Sequence, residues 1–340
     1  MFIVDAHLDL AFNVSRGRDV TQPAVQQPVA DNEIATVGLP DLRDGRVGLI
    51  CATIFCEPRT ATFKNGYTTP DEAHAIAQTQ LSWYREQFQL KNLRLVKGKD
   101  DLVGMARAQH GFPLDDPRDV SAILLLEGAD PIRGDDDIKA FHDAGVRIVG
   151  MAWKRTSHAG GTGEPGGLSE LGRRSVRTFD QLGILHDTSH LAEQAFWELF
   201  DLTPRPVIAS HSNCRAFVPT DRQLSDDMIK AIAARGGVIG INFFHKFLLR
   251  PEEVGRRRAT LADVVAHMKH ICDLTGSARH VAIGTDMDGG LGREQIPEEI
   301  VTSADIPKVG DALNAAGFGD DDVRGILAGN WLAFFAKHLR

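Results

Sequence analysis

Phe2-Ile3-Val4-Asp5-Ala6-His7-Leu8-Asp9 opens the chain with β-forming residues that run straight into a His-x-Asp pair. Side chains at i and i+2 leave a strand on the same side. An imidazole and a carboxylate would therefore project together from the end of a first strand. Two such donors side by side begin a divalent metal site, and Zn²⁺ accepts this mixture of nitrogen and oxygen. Taken alone, the pair is a weak signal and reads more readily as a polar turn after a strand. The rest of the chain decides between the two.

Working outward, the first strand covers 2–5, and seven more β-rich runs follow at 47–55, 122–126, 146–151, 184–187, 206–209, 238–243 and 280–284. Most are near-continuous apolar stretches, the pattern of parallel strands buried on both faces. Helical segments lie between them. The clearest begins at Thr69-Pro70-Asp71-Glu72, where Thr69 suits an N-cap, Pro70 the first helical position and Glu72 a capping-box return. Ala73, Ile76, Ala77, Gln80, Leu81, Tyr84 and Phe88 then follow helical spacing, with Gln80 the one polar member. Segments 137–144, 168–182, 225–235 and 261–275 each run into a glycine before the next strand, and 320–339 closes the chain as one or two helices. Eight strands alternating with helices predict a (β/α)₈ TIM-type barrel. One domain would span 1–340, with a helical insertion around 56–120 between strands two and three. An open doubly wound sheet would want a phosphate loop or GxGxxG after the first strand, and neither is present. Gly160-Gly161-Thr162-Gly163-Glu164-Pro165-Gly166-Gly167 has no following Lys-Ser/Thr and reads as a mobile loop over the barrel mouth.

Composition narrows the function. The 340 residues are 43% hydrophobic and 25% charged, as in ordinary soluble enzymes. The net charge is −8, and the densest basic cluster, Arg256-Arg257-Arg258, reads as a solvated turn. Nucleic-acid binding is not expected, because neutralising phosphates takes clustered Lys and Arg. No apolar run reaches the length of a membrane span. Met1-Phe2-Ile3-Val4 runs at once into Asp5, unlike a secretory leader, so cytoplasmic residence is expected. Cys51, Cys56, Cys214 and Cys272 form no CxxC pair and read as buried thiols. Cys214, close to His211, could serve the site or simply fill space.

In a barrel of this kind chemistry gathers at the C-terminal ends of the strands. His7 and Asp9 follow the first strand, Glu127 the third, His190 the fifth, His211 the sixth and Asp286 the eighth. Each has a plain alternative as a loop, cap or turn residue, and Asp288 offers a second acid beside Asp286. Together, three histidines and three acids converging on one axial pocket are what a one- or two-metal hydrolase needs. A carboxylate such as Glu127 can bridge two metals about 3.5–4 Å apart. Asp286 would then be free to move a proton.

Several ordered motifs carry a resemblance across essentially the whole chain. They are Asp5-Ala6-His7-Leu8-Asp9, Leu39-Pro40-Asp41-Leu42-Arg43-Asp44-Gly45, Glu127-Gly128, Gly183-Ile184-Leu185-His186-Asp187-Thr188-Ser189-His190, Pro206-Val207-Ile208-Ala209-Ser210-His211-Ser212-Asn213, Gly284-Thr285-Asp286-Met287-Asp288-Gly289 and Gly329-Asn330-Trp331. In these the sequence resembles the renal-type (membrane) dipeptidase family of zinc metallopeptidases, in the amidohydrolase superfamily. The resemblance implies an amidohydrolase-like barrel with two Zn²⁺ ions. His7 and Asp9 would bind one, His190 and His211 the other, and Glu127 would bridge them. It further implies hydrolysis of a dipeptide, including one with a D-residue at its C-terminal position, by a metal-held hydroxide. Arg222 would pair with the substrate carboxylate and Asp286 would pass the proton to the leaving amine. Well-known members carry a substrate-binding histidine after the fourth strand, where this chain has Trp153. An indole donates one hydrogen bond and takes no proton. Trp153 would therefore stand in for that group, or Lys154, Arg155 or His158 would. That change opens an alternative, a related amide hydrolase such as an N-acyl-amino-acid deacylase on the same site. A non-catalytic metal-binding barrel is the third reading. A homodimer is implied by the resemblance alone.

Overall fold

Alternate residues of the central strands belong to two separate apolar clusters, which is how the chain buries both faces of a parallel sheet. On the strand at 121–127, Ile123 and Leu125 join one cluster while Ala122, Leu124 and Leu126 join the other. The first cluster fills the inside with Val4, Leu49, Ile148, Leu185 and Ala282; the second packs the outside against helices. The computed structural model describes residues 2–60, 63–105 and 120–340. Its strands are β1 (Ile3–Leu8), β2 (Val47–Phe55), β3 (Arg94–Leu95), β4 (Ser121–Glu127), β5 (Val146–Gly150), β6 (Ala159–Gly161), β7 (Glu164–Leu168), β8 (Leu185–Asp187), β9 (Ile239–Ile241) and β10 (Val281–Ile283). The fold is of the (β/α)₈ TIM-type class.

β1, β2, β4, β5 and β8 pair in parallel in that order, with β3 added beside β4. The predicted strand at 206–209 is present only as single bridges, Asp187 to Ile208 and Ala209 to Ile239. The reason is local. Pro206 has no N–H to give, and the Ser210 N–H is taken by the Asp187 carboxylate at 2.9 Å. β9 and β10 pair next, and the Asp286 N–H donates to the His7 carbonyl at 3.2 Å, returning the ring to β1.

Two details of packing position the site. The β1–β2 register shifts between Asp5 and Leu8, and Leu8 lies in the outer cluster. Val4 and Ala6 lie in the inner cluster, and beyond them His7 and Asp9, rather than Leu8, face the mouth. At the far end of the chain Trp331 Nε1 donates to the Ile283 carbonyl at 2.8 Å, and Asn330 Nδ2 donates to the Ala278 and Val281 carbonyls at 2.7 Å. The Gly329-Asn330-Trp331 motif thus fixes β10, the strand that leads to Asp286.

The helix Pro70–Gln89 begins as expected at Thr69, whose hydroxyl accepts from the Glu72 N–H. The Glu72 carboxylate returns to the N–H and hydroxyl of Thr68, one residue before the cap. Gln80, the polar member of the apolar stripe, clamps both backbone groups of Phe55 at the end of β2. The insertion placed around 56–120 lies in part on residues 61, 62 and 106–119, outside the described residues. The glycine-rich stretch expected to be a mobile loop is instead the antiparallel hairpin β6–β7, with Gly161 also bridged to Leu191. Ser169 caps the following helix, Glu170–Leu182, leaving Leu168 to the hairpin. The closing segment is helix Asp320–Arg324, a π-helical turn Gly325–Gly329, and helix Asn330–His338.

Cys214 turns away from the barrel mouth, its Sγ toward the His267 carbonyl, and burial pushes its thiol up. His267 is held neutral in one tautomer. Its Nδ1 accepts from the Cys214 N–H at 3.0 Å, so its Nε2–H donates to the Leu248 carbonyl at 3.1 Å. Burial drives it from 6.5 down to about 4. The unfolded chain protonates this ring below about 6.5 and the native protein only below about 4. The associated stability, roughly 3 kcal/mol, is full above the first value and lost as pH falls toward the second. His158, also lowered to about 4, acts in the same direction. His267→Gln is expected to lower the melting temperature at pH 7.5 and to shrink its fall between pH 6.5 and 4.5. An unchanged fall would contradict this account.

Candidate metal centre

The mouth of the barrel collects the predicted ligands from distant points of the chain. Glu127 ends β4, and its Oε2 lies 3.3 Å from His7 Nε2. Its other oxygen, Oε1, lies 3.4 Å from both His190 Nε2 and His211 Nε2. Asp9 Oδ2 is 3.9 Å and Asp286 Oδ1 is 4.0 Å from His7 Nε2. Three overlapping donor sets result, each drawn together within 4.8 Å: His7, Asp9 and Glu127; Glu127, His190 and His211; and His7, His211 and Asp286. All six sequence-predicted residues are therefore brought together.

Electrostatics favours a cation here. His7 Nε2 is buried and finds no hydrogen-bond partner among the described residues. Burial alone would lower His7, but Glu127, Asp9 and Asp286 outweigh it and hold it up at about 10. Three buried carboxylates facing one ring call for positive charge, supplied by a proton or by a metal ion. His190 and His211 are driven well below their ordinary value by burial first, then by the charges of His7 and Arg222, so their rings stay neutral. Neutral imidazole is the form that binds metal. Burial raises Asp9 to about 6, against the pull of His7. It raises Asp286 to about 8 against the same pull, helped by Asp9 and Glu127. Imidazoles with carboxylates and no thiolate fit Zn²⁺ and other divalent first-row ions.

Asp9, His190 and Asp286 are held by neighbours that the sequence reading left without a role. Thr53 on β2 donates to Asp9 Oδ1. Thr162, at the tip of the β6–β7 hairpin, lies 3.0 Å from His190 Nδ1. Asn242 donates to Asp286 Oδ2 at 2.8 Å and is itself held through its backbone by Asn213. His190 and Asp286 adopt φ of 64° and 59°, a region uncommon for residues with a Cβ. Gly289 leaves room for two carboxylates, since a Cβ there would meet Asp286 Oδ1 at 2.0 Å and Asp9 Oδ2 at 2.9 Å. Asp5 and Asp288 are structural. Asp5 holds Thr285, and Asp288 accepts from the N–H and hydroxyl of Thr36 and the Val37 N–H and forms an ion pair with Arg18. That separates Asp286 from Asp288, which spacing alone left open.

The cavity beside the donors holds about 270 Å³, at the small end of the ~300–1,000 Å³ usual for small-molecule sites. Phe12, Phe55, Trp153, Phe244 and Phe247 line it, with Glu57 and Lys154 as further charged groups. Trp153 faces His190 at 6.1 Å between ring centroids. Arg222 is not part of this wall. It is 4% exposed, with Nη1 donating to Ser212 Oγ and Nη2 to the His211 carbonyl. Its Nε–H is buried without a partner among the described residues, and burial lowers its pKa to about 10 against the pull of Asp286 and Glu127.

Residues 1–338 match the family model for membrane dipeptidase, peptidase family M19. The chain is 33% identical over 225 residues to an uncharacterised protein of the pqqA 5′ region of Klebsiella pneumoniae, covering 63% of this chain and 80% of that one. It is 26% identical over 314 residues to dipeptidase aclJ of Aspergillus oryzae, covering 89% and 70%. A solved dipeptidase described as a metallopeptidase of family M19 superposes with a TM-score of 0.82 at 26% identity, over 100% of this chain and 99% of that one. A metallopeptidase from Rhodobacter sphaeroides, liganded with a phosphinate mimic of the dipeptide L-Ala-D-Ala, does so with 0.82 at 25% identity and the same coverage. Among the described residues no helix is long and apolar enough to cross a membrane.

Proposed function

This chain belongs to the membrane dipeptidase family of metallopeptidases, and we propose that it hydrolyses dipeptides, including those ending in a D-residue, with two Zn²⁺ ions at the barrel mouth. The observation that carries this reading is one carboxylate, Glu127, whose two oxygens face His7 on one side and His190 and His211 on the other. His7 and Asp9 would hold one ion, His190 and His211 the other, and Glu127 both. Ions bound there would supply polarisation of the scissile carbonyl and acidification of water. The remaining chemistry belongs to the chain. Asp286, raised to about 8 chiefly by burial, can take a proton and give it to the leaving amine near neutral pH. Arg222 carries a buried N–H without a partner among the described residues, so a substrate carboxylate reaching it would meet a donor in low dielectric, where a charged hydrogen bond is strong. Trp153 offers an aromatic wall beside His190. The small cavity suits a dipeptide, and the ligand of the Rhodobacter sphaeroides neighbour supports a D-residue at the C-terminal position.

A second reading, an N-acyl-amino-acid deacylase on the same centre, is favoured by the aromatic wall of five rings, which would take an acyl chain. A panel of L-X-D-Y and L-X-L-Y dipeptides beside N-acyl amino acids separates the two. Cleavage of at least one dipeptide class is expected. Turnover of N-acyl amino acids with none on any dipeptide would overturn the first reading in favour of the second.

A further inference from the structure

Ser210 Oγ is within hydrogen-bonding reach of three groups that matter to the centre, while Ser189 Oγ stands off at 3.4 Å, longer than an ordinary O–H···O bond. Asp187 Oδ2 lies at 2.5 Å, His211 Nδ1 at 2.7 Å and His7 Nδ1 at 3.1 Å. A serine hydroxyl has one proton to give and two lone pairs with which to accept. An ionised carboxylate only accepts, and the Asp187 contact is the shortest, so the hydroxyl proton goes to Asp187. Both lone pairs are then left for the two rings, and each ring must bring its own proton on Nδ1. With a metal ion in place of any Nε2 proton, that arrangement frees Nε2 of both rings to bind it, and both Nε2 atoms face Glu127. Asp187 is fixed in turn by the N–H groups of Ser189 at 3.0 Å and Ser210 at 2.9 Å.

In the two-metal reading His7 would serve one ion with Asp9 and Glu127, and His211 the other with Glu127 and His190, although the two rings also share a donor set with Asp286. The geometry points to Ser210, held by Asp187, as a single positioning residue that sets the tautomer of one ligand to each metal ion and so couples the two halves of the centre. The remaining histidine is set separately. Thr162 Oγ1 lies 3.0 Å from His190 Nδ1 and 3.5 Å from the His190 carbonyl. It can therefore donate to the carbonyl while accepting from Nδ1–H. The inference rests on the two-metal reading above and predicts something that reading does not, a variant whose loss is shared by both ions.

The test is titration of metal-stripped protein with Zn²⁺ against a chromophoric chelator. Two binding steps are expected in the native protein. Ser210→Ala should weaken both by roughly 10- to 100-fold, the usual cost of losing a group that orients a metal ligand. Thr162→Val should weaken one step only. Ser210→Ala leaving either step unchanged, or Thr162→Val weakening both alike, overturns the assignment. Uptake of no zinc by the native protein overturns instead the two-metal reading. Long-range ¹⁵N–¹H spectra of the zinc-loaded native protein give a test that needs no variant. Protons on Nδ1 of both His7 and His211 are expected, and a proton on Nε2 of either ring overturns the proposal.

Discussion

Glu127→Gln should lower kcat/KM for dipeptides about a thousandfold, equivalent to roughly 4 kcal/mol of transition-state stabilisation. It should also lower the metal content below two ions per chain, and the protein should remain folded. The carboxylate stands between His7 at 3.3 Å and the His190–His211 pair at 3.4 Å. Among the described residues, Glu127 is the acid shared by the His7–Asp9 set and the His190–His211 set, whereas Asp9 joins only the first and Asp286 joins neither but meets His7 and His211. An amide of the same shape keeps one acceptor oxygen and replaces the other by a donor, so it cannot serve both sides. The substitution adds no volume and relieves like charge among buried carboxylates. Thermal unfolding of metal-free protein should therefore change little. Kinetics, metal analysis and unfolding on one preparation check all three statements. Near-native turnover with both ions retained would show that Glu127 does not link the two sets.

Asp286→Asn should separate chemistry from metal binding. We expect kcat to fall by about 10²–10⁴, the usual range for removing a proton-transfer group, with KM and metal content nearly unchanged. The side chain is already positioned by Asn242 at 2.8 Å, and an asparagine can still accept that hydrogen bond. What it cannot do is carry a proton. Burial, with Asp9 and Glu127 close by, raises Asp286 to about 8 despite His7, so both protonation states are reachable at neutral pH. Asp286 also shares a donor set with His7 and His211. If metal is lost along with kcat, Asp286 is a ligand and the proton must move by another group.

The ligand set was legible because each member follows an apolar run whose end is easy to place. Ile123-Leu124-Leu125-Leu126 before Glu127 is such a run, and Val207-Ile208-Ala209 before Ser210-His211 is another. The barrel followed from the same runs, with glycines after the helices marking the turns between them. Other features depend on contacts between residues far apart in sequence. Asp288 was distinguished from Asp286 only by Thr36 and Val37, which bind it from 252 and 251 residues away. The β1 register shift, which turns His7 inward, leaves no mark in a stretch of alternating small and large residues. Ser210 lay in plain view within a motif. Its role appears only once β1 and β8 bring His7 and Asp187 against it. The glycine-rich stretch read as a loop from composition, but its backbone pairs with itself, and that hairpin carries Thr162 to His190.

The central claim is that five residues, His7, Asp9, Glu127, His190 and His211, hold two ions on which dipeptide hydrolysis depends. Turnover of L-Ala-D-Ala and a stereochemically complete dipeptide library, measured as zinc is returned to metal-stripped protein, tests it most directly. The account predicts negligible turnover without metal and a rise that saturates at two equivalents of zinc per chain. Full turnover by the metal-stripped protein, or saturation with no zinc bound, would contradict it.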